Sequence, residues 1–139
     1  MYVVLGRRGI GYWEEFEVFD TTSVVIPTGG RASLPRLHAC LYSIRSQRVK
    51  PLEVLVPYIY PRGEKIPSFR QYRGCTFIPH PHGEPDFPPA LARNVGIRMA
   101  RGDLIMTVDA DTVLDVRTIK VWQTSLQQTE EFLRSLGVL

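Results

Sequence analysis

The 139-residue sequence contains no run of eighteen or more apolar residues and no N-terminal charged segment followed by an apolar stretch. It therefore predicts neither a transmembrane helix nor a secretory signal peptide, which makes the cytoplasm the default location. The sequence also contains no internal repeat and no low-complexity tract. These absences argue against a repeat architecture and against long disordered segments.

Cysteine is scarce, with only Cys40 and Cys75, and these do not form a Cys-x-x-Cys pair. We expect both to be free thiols rather than partners in a disulfide. Cys75 lies close in sequence to His80 and His82, which raises the alternative of a structural zinc site. Two prolines flank His80 and no fourth ligand follows nearby, so the sequence argues against zinc.

What the sequence does contain is typical of one globular domain, with 44% hydrophobic and 22% charged residues and a net charge of +3. Arginine supplies much of the positive charge in the middle of the chain. Because arginine suits bidentate phosphate recognition, nucleotide diphosphates and nucleic acids are both candidate ligands. Aromatic residues are not interleaved with the basic ones in an RNA-binding pattern, so we predict that no nucleic acid is bound.

The first 22 residues predict an extension, and residues 23–139 predict the main domain. A strand is expected at 2–5, followed by a glycine-rich turn and a second strand between Trp13 and Phe19, which together form a hairpin. The main domain then alternates strands with helices. We predict strands at 23–26, 53–56, near 75–78 and at 104–108, and helices at 34–47, 89–100 and from 116 to 136.

This order predicts an α/β fold with a Rossmann-like, open, mostly parallel sheet flanked by helices. Pro27 and Pro57 are expected to end the first two strands of the main domain, and Gly29 to lie in a loop. Ser33 and Asp115 are the predicted helix caps. The expected apolar helix faces are Leu37, Leu41 and Ile44, then Leu91, Val95 and Met99, then Ile119, Trp122, Leu126, Leu133 and Leu136.

Asp109 and Asp111, separated by Ala110, directly follow the apolar run 104–108. Carboxylates at the end of a buried strand are unfavourable unless a cation or another partner balances them. Magnesium or manganese bound to a diphosphate often uses only one or two protein carboxylates. The sequence therefore predicts a Mg²⁺ or Mn²⁺ site that neutralises a departing nucleotide diphosphate. Capping of the following helix is the simpler structural alternative.

Two other segments are expected at the same edge, because ligands of open parallel sheets bind beyond the carboxyl ends of the strands. The segment 27–31 is Pro-Thr-Gly-Gly-Arg, and its glycines let the backbone approach a ligand just before a helix N-terminus. The segment 92–97 carries Arg93, which is placed to reach a nucleotide or its phosphates. A tight turn and a solvated arginine are the corresponding structural alternatives.

Several segments, taken in order, resemble the signatures of family 2 glycosyltransferases. They are residues 23–31, Ala-Arg-Asn-Val-Gly-Ile at 92–97, Ala-Arg-Gly-Asp at 100–103 and Val-Asp-Ala-Asp at 108–111. The similarity in order and spacing extends from Ser23 to about Leu126. The resemblance implies a GT-A-like fold, a UDP- or GDP-sugar donor, a divalent metal and hexosyltransferase-type activity.

The resemblance also implies roles for individual residues. Asp111 is expected to be the principal metal ligand, and Asp109 to contact the donor ribose or the water shell of the metal. Residues 27–28 are expected to line the nucleoside pocket, and residues 93–94 to stand beside it. The complete predicted donor-binding set is Pro27, Thr28, Gly30, Arg31, Tyr58, Arg93, Asn94, Asp109, Ala110 and Asp111.

The sequence departs from the family pattern in three places. Gly29 and Gly30 stand where the family usually has Tyr-Asn. The second strand is followed by Pro-Tyr-Ile-Tyr at 57–60 instead of acidic residues, so Tyr58 or Tyr60 is expected to stack on the base. The chain also ends soon after the Asp-x-Asp motif, before the region that supplies the acceptor site and the catalytic carboxylate in the family.

These departures leave the catalytic base and the acceptor, whether sugar, lipid or protein, unassigned. A non-catalytic module that binds a nucleotide or sugar nucleotide is therefore the main alternative. A nucleotidyltransferase is a weaker one, because the sequence lacks the longer glycine-rich stretch with a following lysine. The apolar face of the last helix also makes a homodimer one of the expected arrangements.

Overall fold

A computed structural model describes the backbone of residues 2–5 and residues 21–83 and 88–138. The strands are β1 (Tyr2–Leu5), β2 (Thr22–Val25), β3 (Thr28–Gly29), β4 (Glu53–Pro61), β5 (Thr76–His82) and β6 (Leu104–Thr107). The helices are α1 (Leu34–Arg45), which follows a short 3-10 turn at Arg31–Ser33, α2 (Pro89–Met99) and α3 (Thr118–Ser135).

The described strands form one mostly parallel sheet. β2 lies between β6 and β4 and is parallel to both, while β3 continues beside β4 where β2 has ended. β5 is parallel to β4, and β1 is antiparallel to β6, with Tyr2 opposite Thr107. The predicted α/β fold and the first predicted strand are therefore confirmed, whereas the second strand of the hairpin lies outside the described residues.

Helices cover both faces of this sheet. Side chains alternate along each strand, so neighbouring residues pack against helices on opposite faces. Val24 and Met106 face a cluster that contains α1 and the first turn of α3. Their neighbours Val25 and Ile105 face the opposite way, towards the end of α2. The strands are thus buried on both sides, as near-continuous apolar runs in a parallel sheet require.

The prediction that Pro57 ends a strand is wrong, because β4 continues to Pro61. Leu55 O accepts a hydrogen bond from Ile26 N at 2.8 Å, and Ile59 O accepts one from Gly30 N at 3.2 Å. The backbone N–H and C=O groups of odd-numbered β4 residues therefore point towards β2 and β3. Pro57 lies opposite the break between these two strands. There its missing N–H interrupts no continuous ladder, and its carbonyl accepts the Thr28 hydroxyl at 2.9 Å.

The loops in the structure are also shorter than the sequence predicted. Gly29 belongs to β3 instead of a loop, because its segment pairs with β4. The strand predicted near 75–78 extends to His82, so residues 79–82 also belong to the sheet. His80 and His82 lie on this strand, and no group of three metal-ligating side chains occurs among the described residues.

Arg62 N donates to His82 O at 3.0 Å, which places the even-numbered residues of β5 towards β4. The odd-numbered residues therefore direct their backbone groups to the outer edge, which pairs with none of the described strands. Pro79 and Pro81 occupy two of these outward positions and remove their N–H donors. The pairing edge of β5 is thus blocked by proline, as expected for an exposed edge strand.

Neither predicted cap forms a cap hydrogen bond with a helix end. The Ser33 hydroxyl donates to Gly29 O at 2.8 Å, because Ser33 already has helical backbone angles within the preceding 3-10 turn. Asp115 lies three residues before α3 and accepts Arg117 N at 2.9 Å, which forms a turn ahead of the helix. Gly137 has a φ of 72°, which confirms the predicted helix stop.

The predicted apolar face of α2 is only partly correct. Met99 is 56% exposed, and the buried residues of this helix are Ala92 and Gly96. A Cβ on Gly96 would lie 2.2 Å from Val25 Cγ1 and 3.0 Å from Pro57 Cγ. The helix therefore packs through small residues and approaches the sheet closely, which side-chain hydrophobicity alone does not reveal.

Residues 108–117 form the β6–α3 connection, an irregular segment held against α1. It begins beside Cys40, whose Sγ lies 3.7 Å from Asp109 O, and reaches the C-terminal end of α1, where Arg48 N donates to Val116 O at 2.8 Å. α3 then begins with Ile119 in the core, while Leu136 at its end is exposed. None of the helices in the described part has the length and apolarity needed to span a membrane.

Candidate functional site

A cleft of about 310 Å³ lies at the carboxyl edge of the sheet, where β2 and β6 end. Val108 N still donates to Val25 O at 2.9 Å, so the two strands remain joined up to the residue before Asp109. The cleft is lined by Pro27, Ser33, Arg36, Pro89, Arg93, Asp109, Ala110 and Asp111. This is the place where ligands bind in open parallel sheets.

Each aspartate of the cleft faces an arginine. Arg93 Nη2 lies 3.3 Å from Asp109 Oδ1, and Arg36 Nη1 lies 3.9 Å from Asp111 Oδ2. The aspartate side chains are 56% and 61% exposed, respectively. Exposed ion pairs contribute only about 0–1 kcal/mol, so these pairs do not hold the fold together. Their carboxylates remain accessible to a more strongly bound cation.

Arg93 is the better anchored of the two arginines. It lies on α2, next to the buried Ala92 and one turn before Gly96, whose close approach to the sheet brings this helix towards the cleft. Its side chain is only 27% exposed, against 71% for Arg36. The geometry therefore gives Arg93 a defined position beside Asp109, whereas Arg36 is freer to move.

The cleft also contains Ser33, Arg36 and Pro89, which no sequence motif indicated as site residues. Ser33 and Arg36 are separated by one helical turn at the start of α1, so helical periodicity places them on the same side. The sequence feature that could have indicated these two residues is the start of this helix directly after a strand end. Pro89 is the first residue of α2 and was predicted only as a helix boundary.

Five of the ten predicted donor-binding residues line the cleft: Pro27, Arg93, Asp109, Ala110 and Asp111. Thr28 is fully buried and its hydroxyl is engaged by Pro57 O. Gly30, with a φ of 65°, Arg31 and Asn94 lie near the same edge but outside the lining. Arg31 Nη2 instead lies 3.5 Å from Lys65 O.

The expectation that Tyr58 stacks on a base is not met. Its side chain is 2% exposed, and its ring packs edge-on against Phe69 with the centroids 5.1 Å apart. Because β4 continues through Pro57, Tyr58 is an inward-facing strand residue instead of a loop residue. It belongs to the same core cluster as α1, so it presents no free ring face to a ligand.

The Cys40 thiol lies below the Asp-x-Asp backbone and is fully buried. Burial, and then the negative charges of Asp111 and Asp109, raise the pKa of Cys40 to about 12. The thiol is therefore protonated at neutral pH and directs its weak S–H donor at Asp109 O. Cys40 thus supports the motif mechanically and is not a reactive thiolate.

The donor set of the cleft suits a hard divalent cation that is shared with a ligand. Asp109 and Asp111 offer carboxylate oxygens, which Mg²⁺ and Mn²⁺ prefer. No group of three or more acidic, histidine or cysteine side chains is present among residues 21–83 and 88–138 to form a complete protein cage. A cation here therefore needs phosphate oxygens and water to complete its coordination.

No protein-family model matches the sequence, and no curated protein is significantly similar to it. Solved structures of S. aureus TarS are similar in fold. The structure of TarS 1–349 has a TM-score of 0.57 and 20% identity over 78% of this chain and 32% of that chain. A second structure of TarS and one of TarS 1–349 in complex with UDP-GlcNAc each give a TM-score of 0.57, at 21% and 19% identity.

The second and third of these matches also cover 78% of this chain, and 20% and 31% of the matched chains. This chain therefore spans about a third of the length of TarS 1–349. The described mostly parallel α/β sheet with its flanking helices is therefore a fold that this chain shares with TarS, and it is consistent with a GT-A-like fold.

Proposed function

We propose that this chain binds a nucleotide-diphosphate sugar in the carboxyl-edge cleft, together with Mn²⁺ or Mg²⁺ at Asp109 and Asp111. In this proposal it is the donor-binding part of a family 2, GT-A-type glycosyltransferase. The observation that carries the proposal is the pairing of two neighbouring carboxylates with two arginines in one open cleft. This arrangement offers both a cation site and cationic donors for phosphate.

The two kinds of charge suit different parts of a sugar nucleotide. Asp109 and Asp111 would hold the divalent cation, which supplies neutralising charge to the diphosphate leaving group. Arg93 and Arg36 would donate hydrogen bonds to phosphate oxygens, because the guanidinium group matches phosphate geometry. Pro27 would provide an apolar wall next to these charges.

UDP is the nucleotide that we propose first. The glycosyltransferase-like fold supports a sugar-nucleotide donor, and TarS 1–349 is described in complex with UDP-GlcNAc. At 19% identity this likeness extends to the fold alone, so UDP-GlcNAc is a probe to test on this chain. With Tyr58 in the core, contacts to the base are expected from other residues, and the half-buried Tyr60 is the remaining tyrosine candidate.

One observation favours a non-catalytic sugar-nucleotide-binding module as the second candidate. Among the described residues that line the cleft, Asp109 and Asp111 are the only carboxylates, and no histidine joins them. If both hold a cation, no described lining residue remains to act as a base on an acceptor. The transferase proposal therefore requires a base from outside this described lining.

Thermal unfolding with and without ligands tests the proposal. We expect Mn²⁺ plus UDP or UDP-GlcNAc to raise the Tm, and the gain to disappear in Asp111→Ala. Ligand at about 100 times its Kd stabilises a protein by about 2.7 kcal/mol, which is a shift of several degrees for a domain of this size. Glu131→Gln, at an exposed position of α3, is the matched control and should retain the full gain.

An unchanged Tm with UDP, GDP, a UDP-sugar and a GDP-sugar, each with and without metal, would contradict the proposal. The reaction products distinguish the candidate functions. A transferase or hydrolase releases UDP from UDP-GlcNAc when Mn²⁺ is added, whereas a binding module shows the Tm gain and releases nothing. A nucleotidyltransferase instead releases pyrophosphate from a nucleoside triphosphate.

A further inference from the structure

Two polar side chains lie in the core near the C-terminal end of α1, Ser43 within the helix and Gln47 two residues after its last residue. Ser43 and Gln47 are 5% and 1% exposed, and Cys40 beside them is fully buried. Cys40 and Ser43 are one turn apart on α1, and Gln47, just after the helix, donates to Ser43 O, so the three side chains form one row. A buried amide or hydroxyl is costly without hydrogen-bond partners, so this row calls for a specific explanation.

All three side chains contact the β6–α3 connection or its junction with α3. Cys40 Sγ lies 3.7 Å from Asp109 O, and Ser43 Oγ accepts a hydrogen bond from Leu114 N at 3.1 Å. Gln47 makes two such bonds. Its Nε2 donates to Asp115 O at 2.6 Å, and its Oε1 accepts Ile119 N at 3.1 Å.

Hydrogen bonds to the backbone of α1 satisfy the remaining donors of the Ser43 and Gln47 side chains. The Ser43 hydroxyl donates to Cys40 O at 2.7 Å, and Gln47 Nε2 donates to Ser43 O at 3.1 Å. The row therefore supplies side-chain hydrogen bonds to backbone groups of a segment that has no regular secondary structure to satisfy them. It holds the connection against the second half of α1 and the residues just after it.

The Asp-x-Asp motif depends on this attachment. The carboxylates of Asp109 and Asp111 are more than half exposed, so their own burial does not position them. Their backbone is held by β6 on one side and by the connection on the other. Thr112 N donates to Asp109 O at 3.0 Å and closes a turn around the motif, and the Ser43 contact to Leu114 follows two residues later.

We propose that Ser43 and Gln47 are positioning residues that act through the β6–α3 connection to hold Asp109 and Asp111 at the separation and orientation that a divalent cation requires. This inference rests on the proposed metal and nucleotide function of the cleft. Residues that orient metal ligands without touching the metal affect affinity strongly, by about 10- to 100-fold when they are replaced. A structural role alone changes stability and leaves affinity unchanged.

Ser43→Ala and Gln47→Met test the proposal, because they remove the hydrogen bonds while keeping similar volumes. We expect each to weaken Mn²⁺ binding in the presence of UDP by about tenfold or more. The measurement is a Mn²⁺ titration followed by electron paramagnetic resonance, at a temperature where circular dichroism shows every variant folded. We also expect faster hydrogen exchange at the Thr112 amide, which neither substituted side chain contacts.

Val54→Ala is the matched control, because Val54 belongs to the same core cluster but lies on β4, away from the connection. It should lose a comparable amount of stability and keep the wild-type Mn²⁺ affinity. Wild-type Mn²⁺ affinity in both Ser43→Ala and Gln47→Met overturns the proposal, even if Thr112 exchanges faster, because the row is then only a tether.

The failure of the proposed function gives a different result. In that case the wild-type chain shows no UDP-dependent Mn²⁺ binding, or Asp111→Ala binds as the wild type does. The positioning role then falls with the function on which it rests. An unchanged Thr112 exchange rate in both variants overturns the role independently of any metal measurement.

Discussion

Arg93 Nη2 lies 3.3 Å from Asp109 Oδ1 and joins α2 to the end of β6 across the cleft. This contact places a cation where the proposed function requires a metal ion. Arg93 and a divalent cation therefore compete for the Asp109 carboxylate in the absence of nucleotide. Once a diphosphate is present, the same guanidinium gains a better partner in the phosphate oxygens.

Replacing Arg93 with glutamine is expected to change metal and nucleotide affinity in opposite directions. Mn²⁺ alone should bind a few times more tightly, because a competing positive charge is removed from Asp109. UDP in the presence of Mn²⁺ should bind about tenfold more weakly, since a charge-assisted hydrogen bond contributes roughly 1.5–3 kcal/mol. Isothermal titration calorimetry with each ligand measures both changes.

Arg98→Gln is the control for this prediction, because it removes an exposed arginine from the same helix outside the cleft. It should leave both affinities within a factor of two or so, as distant surface charges are screened by salt. Equal weakening of UDP binding in the two variants would show that only the net charge matters. The Arg93–Asp109 contact would then have no special role.

The sequence predicted the position of the Asp-x-Asp motif because an apolar run ending in two carboxylates is a local pattern. It did not predict that β4 passes through Pro57, because the effect of a proline depends on which neighbouring strand its nitrogen faces. That error also misplaced Tyr58. In a loop it was free to stack on a base, whereas in the continuing strand it alternates into the core.

Arg36 was missed for a related reason. Its role depends on where α1 begins relative to the end of β6, which are separated by some seventy residues of sequence but meet at one sheet edge. The small-residue face of α2 escaped prediction because Gly96 contributes no hydrophobicity. The cleft was therefore predictable from strand ends, but its full lining required the packing of both helices.

Replacing Gly96 with alanine should destabilise the protein by about 1–3 kcal/mol, because the added Cβ would lie 2.2 Å from Val25 Cγ1. Relief of this overlap requires α2 to move away from the sheet and to carry Arg93 with it. We therefore expect weaker Mn²⁺-dependent UDP binding together with a lower Tm. Gly83→Ala, where nothing lies within 4 Å of an added Cβ, should change neither quantity.

Pro79 and Pro81 should protect the outer edge of β5 from pairing with other chains. Replacing both with threonine adds two outward N–H donors to an edge that pairs with no described strand. We expect the average mass to rise with protein concentration in sedimentation velocity experiments. His80→Thr adds a β-branched residue without adding a donor, so it should remain at the wild-type mass. Equal association of both variants would contradict the edge-blocking role.

Glu53 links three segments at the end of the sheet where the parallel strands begin, opposite the cleft. Its Oε1 accepts the Ser23 hydroxyl and Arg101 N, both at 2.7 Å, and its Oε2 accepts Arg101 Nε at 3.1 Å. Burial alone would raise the pKa of Glu53, but these hydrogen bonds and the charge of Arg101 lower it below the usual 4.5. The ionised form is therefore the one that stabilises the fold.

Glu53→Gln should reduce stability at pH 7 by about 2 kcal/mol, or several degrees in Tm, because hydrogen bonds to a charged and largely buried group are replaced by weaker ones. A lowered pKa contributes stability that is complete above pH 4.5 and is lost as the pH falls through the folded-state value. The Tm difference between the wild type and the variant should therefore be constant near neutrality and shrink below pH 4.5. Differential scanning calorimetry from pH 3 to 7 measures it. A difference that stays constant over this range would show that the Glu53 carboxylate does not contribute through its charge.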